Sequence, residues 1–482
     1  MVNLCFTTSL LLSLSTVATS LSLPDHPSDT ADLESRPPRP KARIPPPLSV
    51  GDYALQKALY DAEEIFGYYS YPPDPKKDTR INMNRCEWMS KLPDTAPLHQ
   101  LNIPGTHASA TWSLSDSSNL SSSFPYNSDK ANNLPPTSHY QCQTSPLIDS
   151  LNAGIRFFDL SFGIDLTGKK LVFWHEKALL SETATVENVM FGFYTWLEQH
   201  PSEVIFLSLK YEAPNPTPLI PQPQIDSQIY TLLTTRPARR YIHQSKTLPP
   251  SLGHVRGKII LLRRFNLPHV TTHSHLPGIH LPPHHYPPAN SQSPSSLTYG
   301  SRYDKQTLHI SDWSSLSSSL SGESPLDHIK AKLLVIESHF FSASKGVTGQ
   351  DYNGDYDLKA HHKSPKGGSK RSSSSIGWSG PQAVKTDGEL WITFTSGENN
   401  AEGVTPEVLA LGSEDTEDSE GYRMGVNKGL CKLLRRYRGK RLGIIVVDFW
   451  EGEHGDLIGA ILGDWGSNGR YNRPGGRGEE YC

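Results

Sequence analysis

The sequence predicts a (β/α) barrel, an α/β fold, on three observations. Short apolar runs recur, and each carries or ends on a polar side chain. Residues 98–106 lead to His107, residues 155–161 carry Asp159, and residues 171–174 precede His175. Residues 204–209 run into Lys210-Tyr211-Glu212, residues 258–262 end in Arg263-Arg264, and residues 442–447 end in Asp448. Barrel enzymes build their active sites from the C-terminal ends of their strands, so runs that all deliver chemistry at the same end suit that architecture. Amphipathic helical stretches fall between the runs, and such alternation argues for a parallel sheet. Finally, 482 residues exceed one typical domain but suit a barrel enlarged by insertions, since barrels of about 250 residues or more fold as one unit.

The elements follow in order. Residues 1–20 are apolar and hydroxyl-rich, and Ala18 and Ser20 suit a cleavage site, so they read as a secretory signal and the protein is expected outside the cell. The stretch is too short and interrupted for a transmembrane helix. Residues 21–50 form a Pro-rich leader that cannot bury a core. An N-terminal helical extension, 51–87, opens with an amphipathic stretch at 51–71. The barrel is expected over 88–465, with long loops at 113–138, 267–300 and 342–388. Pro104 is expected to end strand pairing and Gly105 to allow a sharp turn, so that His107 stands just beyond the strand. Helices are expected at 145–151, at 185–199, where Val186, Val189, Met190, Phe193 and Leu197 recur at helical spacing before His200-Pro201, and at 422–438. Residues 466–482 are a Gly/Arg-rich tail.

Composition narrows the partners. A formal net charge of −3 offers no basic footprint, which disfavours nucleic acid. Removal of the signal takes Cys5 and leaves Cys86, Cys142, Cys431 and Cys482, an even set that permits two disulfides in any of three pairings. Their spacing matches no zinc pattern. His269, His273, His275, His280, His284 and His285 crowd one Pro-rich stretch without the spacing of a helix-borne ligand set. Asp351, Asp355 and Asp357 lack the complete calcium-loop pattern and read as a solvated loop. The sequon Asn119-Leu120-Ser121 is compatible with secretion. No internal repeat is evident, no metal or cofactor is expected, and the oligomeric state is left open.

Several of these segments carry a family resemblance. Trp88-Met89-Ser90-Lys91-Leu92-Pro93-Asp94, Ile103-Pro104-Gly105-Thr106-His107, Gly154-Ile155-Arg156-Phe157-Phe158-Asp159, His200-Pro201-Ser202-Glu203, Arg256-Gly257-Lys258-Ile259 and Val447-Asp448-Phe449 resemble, in order, the X-domain signatures of phosphatidylinositol-specific phospholipase C. The pattern is nearest to the bacterial-type, metal-independent enzymes and their secreted fungal-like relatives. The resemblance implies a distorted TIM barrel of the phospholipase C-like phosphodiesterase type, cleaving a phosphodiester by attack of the inositol 2-hydroxyl. It implies His107 as general base, Asp448 as the carboxylate orienting it, and His175 as general acid. Asp159, Lys210, Glu212, Arg264 and, more weakly, Asp312 match substrate-binding positions. The implied partner is phosphatidylinositol or another phosphodiester, with transient contact at a membrane surface.

The chemistry asks for the same kit. A base must take the attacking hydroxyl's proton, an acid must protonate the leaving alkoxide, and cations must stabilise the phosphoryl oxygens. An Asp beside the basic His fixes its tautomer and supports the imidazolium that forms. Two positions depart from the bacterial-type pattern: Ala108 stands where Asp follows the first histidine, and Ser161 where an arginine binds phosphate. Arg156 does not substitute, because side chains alternate along a strand and it faces away from Asp159 and Ser161. Lys210 and Arg264 are the remaining sources of charge. Two readings follow: a phosphoric diester hydrolase with two-histidine chemistry, favoured by His107, His175 and Asp448, and a catalytically impaired barrel that binds inositol or phospholipid headgroups, favoured by Ala108 and Ser161.

Overall fold

A computed structural model describes residues 49–69, 85–114, 136–165, 167–176, 178–212, 220–271, 275–301, 304–317, 320–345, 389–417, 421, 423–452 and 456–463. The signal, the leader up to residue 48, the sequon, the aspartates of 351–357, His273 and the tail lie outside these residues. The sheet comprises β1 (Ile103–Thr106), β2 (Phe157–Ile164), β3 (Leu171–His175), β4 (Ala178–Leu179), β5 (Val204–Tyr211), β6 (Lys258–Arg264), β7 (Ile279–His280), β8 (Ser295–Ser301), β9 (Asp304–Ser311), β10 (Leu390–Phe394) and β11 (Ile444–Val447). They run in the order β7-β6-β5-β2-β1-β11-β10-β9-β8. From β7 to β9 every pairing is parallel. The two end strands meet in space without ladder pairing, so the barrel is nearly closed.

Alternation along the strands builds the interior. Ile444 and Val446 point into the main core while Ile445 and Val447 face a second cluster beneath the helices Pro325–Lys345 and Val426–Arg436. The helix Val186–Gln199 buries Val186, Val189, Met190, Phe193 and Leu197, and the Thr185 hydroxyl accepts from the Asn188 N–H at its start. The expected segments 51–71, 145–151 and 422–438 overlap the helices Val50–Asp61, Leu147–Ala153 and Val426–Arg436, the first of which starts one residue earlier and the second of which ends two residues later than expected. No helix of the described residues is long and apolar enough to cross a membrane.

Four sequence expectations are corrected. Pro104 and Gly105 do not end a strand but lie inside β1, which is paired on both sides. Gly105 serves close approach instead of a turn: a Cβ there would lie 2.8 Å from the Phe157 ring. The run before His175 is not a barrel strand. β3 folds back antiparallel to β2, with Phe173 opposite Phe162. The stretch 267–300 is not wholly loop, since it contains β7 and most of β8, the latter paired antiparallel with β9. Finally, Cys86 and Cys142 form no disulfide, which excludes two bridges among the four cysteines; Cys431 is disulfide-bonded. Cys142 is turned towards His107, and Cys86 lies at the other end of the barrel, where its carbonyl accepts from Arg156.

Arg156 faces away from the cleft, as strand alternation requires. Fully buried, it donates to Glu203 Oε2 from Nε at 3.0 Å and Nη2 at 2.8 Å and lies over the Trp196 ring. That pair belongs to the scaffold. Removing one partner of such a pair costs about 3–5 kcal/mol, because the other is left charged in the core.

Candidate active site

At the opposite end of the strands a cleft of about 770 Å³ is lined by His107, Asp159, His175, Lys210, Glu212, Arg264, Asp312 and Asp448, together with Ala108 and Ser161. The strands position most of these side chains by register. Ser161 of β2 stands beside Lys210 of β5, which stands beside Arg264 of β6. His107 and Asp448 extend the adjacent strands β1 and β11, and the His107 N–H donates to the Val447 carbonyl at 3.1 Å.

His107 Nδ1 meets Asp448 Oδ1 at 3.0 Å. Burial disfavours an imidazolium there, yet the Asp448 carboxylate outweighs it and holds His107 well above its ordinary pKa. Burial raises Asp448, against the pull of His107. Behind the pair, Gln143 Nε2 donates to the carbonyls of His107 (2.8 Å) and Val447 (2.9 Å), and Asn427 Nδ2 donates to those of Asp448 (2.9 Å) and Phe449 (3.1 Å).

His175 approaches from the β3 arm. Its ring centroid lies 6.1 Å from that of His107, at an interplanar angle of 79°. Burial lowers its pKa to about 4; Glu212 opposes this, and His107 and Lys210 reinforce it. Glu212 accepts from the Glu176 N–H at 3.0 Å and pairs with Lys210. Gly163 lets the Glu212 backbone come this close, because a Cβ would collide with the Glu212 carbonyl. The Lys210 side chain remains 42% exposed, which makes it the most accessible of the cleft's two strand-borne cations.

Arg264 is committed elsewhere. Its Nη1 donates to Asp159 at 2.9 and 3.2 Å, and its guanidinium lies 3.7 Å from the centroid of the Tyr286 ring. Burial would raise the Asp159 pKa, but Arg264 outweighs it and keeps the carboxyl below its ordinary range. Tyr286 also hydrogen-bonds Asp312, whose Oδ1 is buried without a hydrogen-bond partner among the described residues. Asp312 lines the cleft, and a buried acceptor without a partner calls for a donor such as a ligand hydroxyl.

Backbone strain concentrates here. Ala108 (φ 41°), Glu176 (φ 53°) and Phe449 (φ 46°) are the non-glycine residues at positive φ among those described, and each directly follows one of the acid/base candidates His107, His175 and Asp448. Such conformations cost about 1–3 kcal/mol each and persist where the surroundings over-determine them.

Sequence reasoning missed Tyr286, Gln143, Asn427 and Cys142. Tyr286 was hidden in a Pro/His-rich stretch that reads as loop. The histidines of that stretch do not assemble into one cluster among the described residues: His269 binds Asp226 at 2.9 Å, His280 binds Asn266 at 3.1 Å, and His284 meets its neighbour His285 edge-on. Burial pushes the Cys142 thiol up to about 12, so it is neutral at ordinary pH.

The fold has counterparts among known proteins. Solved structures of phosphatidylinositol-specific phospholipase C from Staphylococcus aureus share the fold, one with a TM-score of 0.51 at 15% identity over 79% of this chain and 97% of that one. In sequence the chain is similar to phosphatidylinositol-specific phospholipase C X-domain proteins. It is 32% identical over 141 residues to the human PI-PLC X domain-containing protein 1, covering 26% of this chain and 41% of that one. It is 30% identical over 209 residues to the 1-phosphatidylinositol phosphodiesterase of Listeria monocytogenes, covering 41% and 57% respectively. The matched region thus spans about half the length of these curated relatives. No family model matches the chain.

Proposed function

We propose that the protein is a phosphoric diester hydrolase of the phospholipase C type, cleaving phosphatidylinositol or a related phosphodiester by two-histidine acid/base chemistry. The observation that carries this reading is the pair of imidazoles facing each other 6.1 Å apart across the cleft, one of them held by a carboxylate. Pure binding needs no such pair. His107 takes the proton of the attacking hydroxyl, Asp448 supports the imidazolium, and His175 protonates the leaving oxygen. If the product is released as the cyclic phosphate, the same chemistry makes the protein a lyase.

The ligand-free charges run opposite to this need: His107 favours the proton and His175 lacks it. An anionic phosphodiester between the rings raises the pKa of His175, so substrate arms its own acid. Lys210, paired with Glu212 but 42% exposed, is the cation that can turn towards the phosphoryl oxygens, while Asp159, Arg264, Glu212 and Asp312 orient inositol hydroxyls. A substrate anchored in a bilayer brings the cleft mouth to the membrane surface, and the sequence signal at residues 1–20 supports secretion. The alternative reading, a headgroup-binding barrel without turnover, draws on Ala108 and Ser161.

The test is cleavage of phosphatidylinositol vesicles and of soluble phosphodiesters, with chelator or with calcium. The expected result is turnover that survives chelation and falls by about 10²–10⁴-fold in His107→Ala. Headgroup binding without cleavage would leave the alternative standing, and chelator-sensitive turnover restored by calcium would overturn the metal-independent mechanism.

A further inference from the structure

The acid/base chemistry makes no use of Cys142, yet the fold fixes it beside the general base. Its N–H donates to Thr111 Oγ1 at 3.0 Å, and its carbonyl accepts from the Phe449 N–H at 2.9 Å. The neighbouring Gln143 grips the carbonyls of His107 and Val447. Cys142 is thereby clamped between the loop after β1 and the loop after β11. Its Sγ, an imidazole nitrogen of His107 and a carboxylate oxygen of Asp448 all lie within 4.8 Å of one another, and the three residues share the wall of the open cleft.

We propose that His107, Cys142 and Asp448 form a binding site for a thiophilic divalent cation, best matched by Zn²⁺, and that the cation held there switches off the general base. The inhibitory part rests on the catalytic reading above; the binding site does not. Imidazole, thiolate and carboxylate are the ligand types zinc takes, and three protein ligands leave a fourth position open to water or a phosphate oxygen in the cleft. Tetrahedral zinc, with bonds of about 2.0–2.3 Å, holds its ligand atoms roughly 3.3–3.7 Å apart, so only a modest contraction of this cluster is needed. Thiolate and carboxylate together neutralise the cation's charge, which suits a site where Cys142 is 1% and Asp448 2% exposed. Binding is a ligand exchange without redox change. The thiol proton, and any proton on the ligating imidazole nitrogen or the carboxylate, leave to solvent as metal–ligand bonds replace water on the ion. With its imidazole committed to the metal, His107 can no longer take a substrate proton. Calcium and magnesium prefer larger sets of oxygen ligands and do not suit the thiol.

The experiment uses the full chain after chelator treatment. Titration with Co²⁺ should produce thiolate-to-cobalt charge-transfer absorption with a stoichiometry of about one, and Zn²⁺ should abolish it by displacement. Cys142→Ser and Cys142→Ala, each checked by thermal melting, should lose the band and the rise in Tm that Zn²⁺ gives the unaltered protein. Vesicle cleavage should fall to near background in Zn²⁺, recover with chelator and ignore calcium. Each cysteine variant, compared with its own chelated activity, should resist zinc. Absence of cobalt and zinc binding to the folded protein overturns the proposal, as does an undiminished cobalt band in a folded cysteine variant. If the protein cleaves no phosphodiester, the cobalt and melting experiments still decide the site, so failure of the catalytic reading and failure of the cation site remain distinguishable.

Discussion

His107 and His175 face each other across one cleft, yet the structure holds them differently. His107 extends a strand paired on both sides, bonds Asp448 directly, and is backed by Gln143 and Asn427 gripping the carbonyls around it. His175 ends an antiparallel arm, and its charge is set first by burial, with Glu212 opposing it and Lys210, 42% exposed, reinforcing it. The base is organised before substrate arrives. The acid is left in its neutral form, and its charging depends on what enters the cleft.

The largest expected effect breaks the base side. Asp448→Asn should lower kcat/KM by about 10³–10⁴-fold, the scale seen when an orienting carboxylate is removed from a hydroxyl–histidine–carboxylate triad. Since Asp448 raises the His107 pKa, the alkaline limb of the profile, where His107 loses its proton, should move to lower pH. An alkaline limb that stays in place while activity falls would show that another group titrates there.

A gain should come from supplying the phosphate cation. Ser161→Arg combined with Ala108→Asp should raise phosphatidylinositol cleavage by as much as about 10²-fold, because arginine beside Lys210 can clamp phosphoryl oxygens bidentately. His175→Ala in that background should remove the gain. No gain in a folded double variant would identify Lys210 as sufficient, and Lys210→Met becomes the deciding replacement.

The smallest effect isolates the acid side. Glu212 raises the His175 pKa, so Glu212→Gln should push it further below about 4. The acid limb of kcat/KM should then move to lower pH, and the plateau should fall about tenfold for each unit, as fewer molecules carry the proton on His175. An upward shift of that limb would assign it to a different group.

Much of this arrangement was legible in the sequence. The barrel strands are short apolar runs, and the polar residue at the end of each is a local signal. Two features mislead when residue types are taken without segment lengths or neighbours. The link 165–170 is too short for the dozen or more residues that a parallel crossover needs, and its Asp165, which accepts from the Lys169 and Lys170 N–H groups, marks a hairpin. Gly105 reads as a turn glycine until Phe157 is known to pack on it. Cys142 and Tyr286 were not legible at all, because their contacts with His107 and Arg264 join distant segments and follow no periodicity.

The positive-φ residues Ala108, Glu176 and Phe449 bear on how the cleft rim tolerates insertion. Each separates a side chain anchored to the sheet from the chain that continues past it. Loop length beyond such a residue can change without re-aiming the side chain before it, much as a tool's handle can be replaced while its edge stays ground. The long stretch 113–138 begins shortly after Ala108. A barrel so punctuated can vary its rim while its two histidines keep their facing geometry.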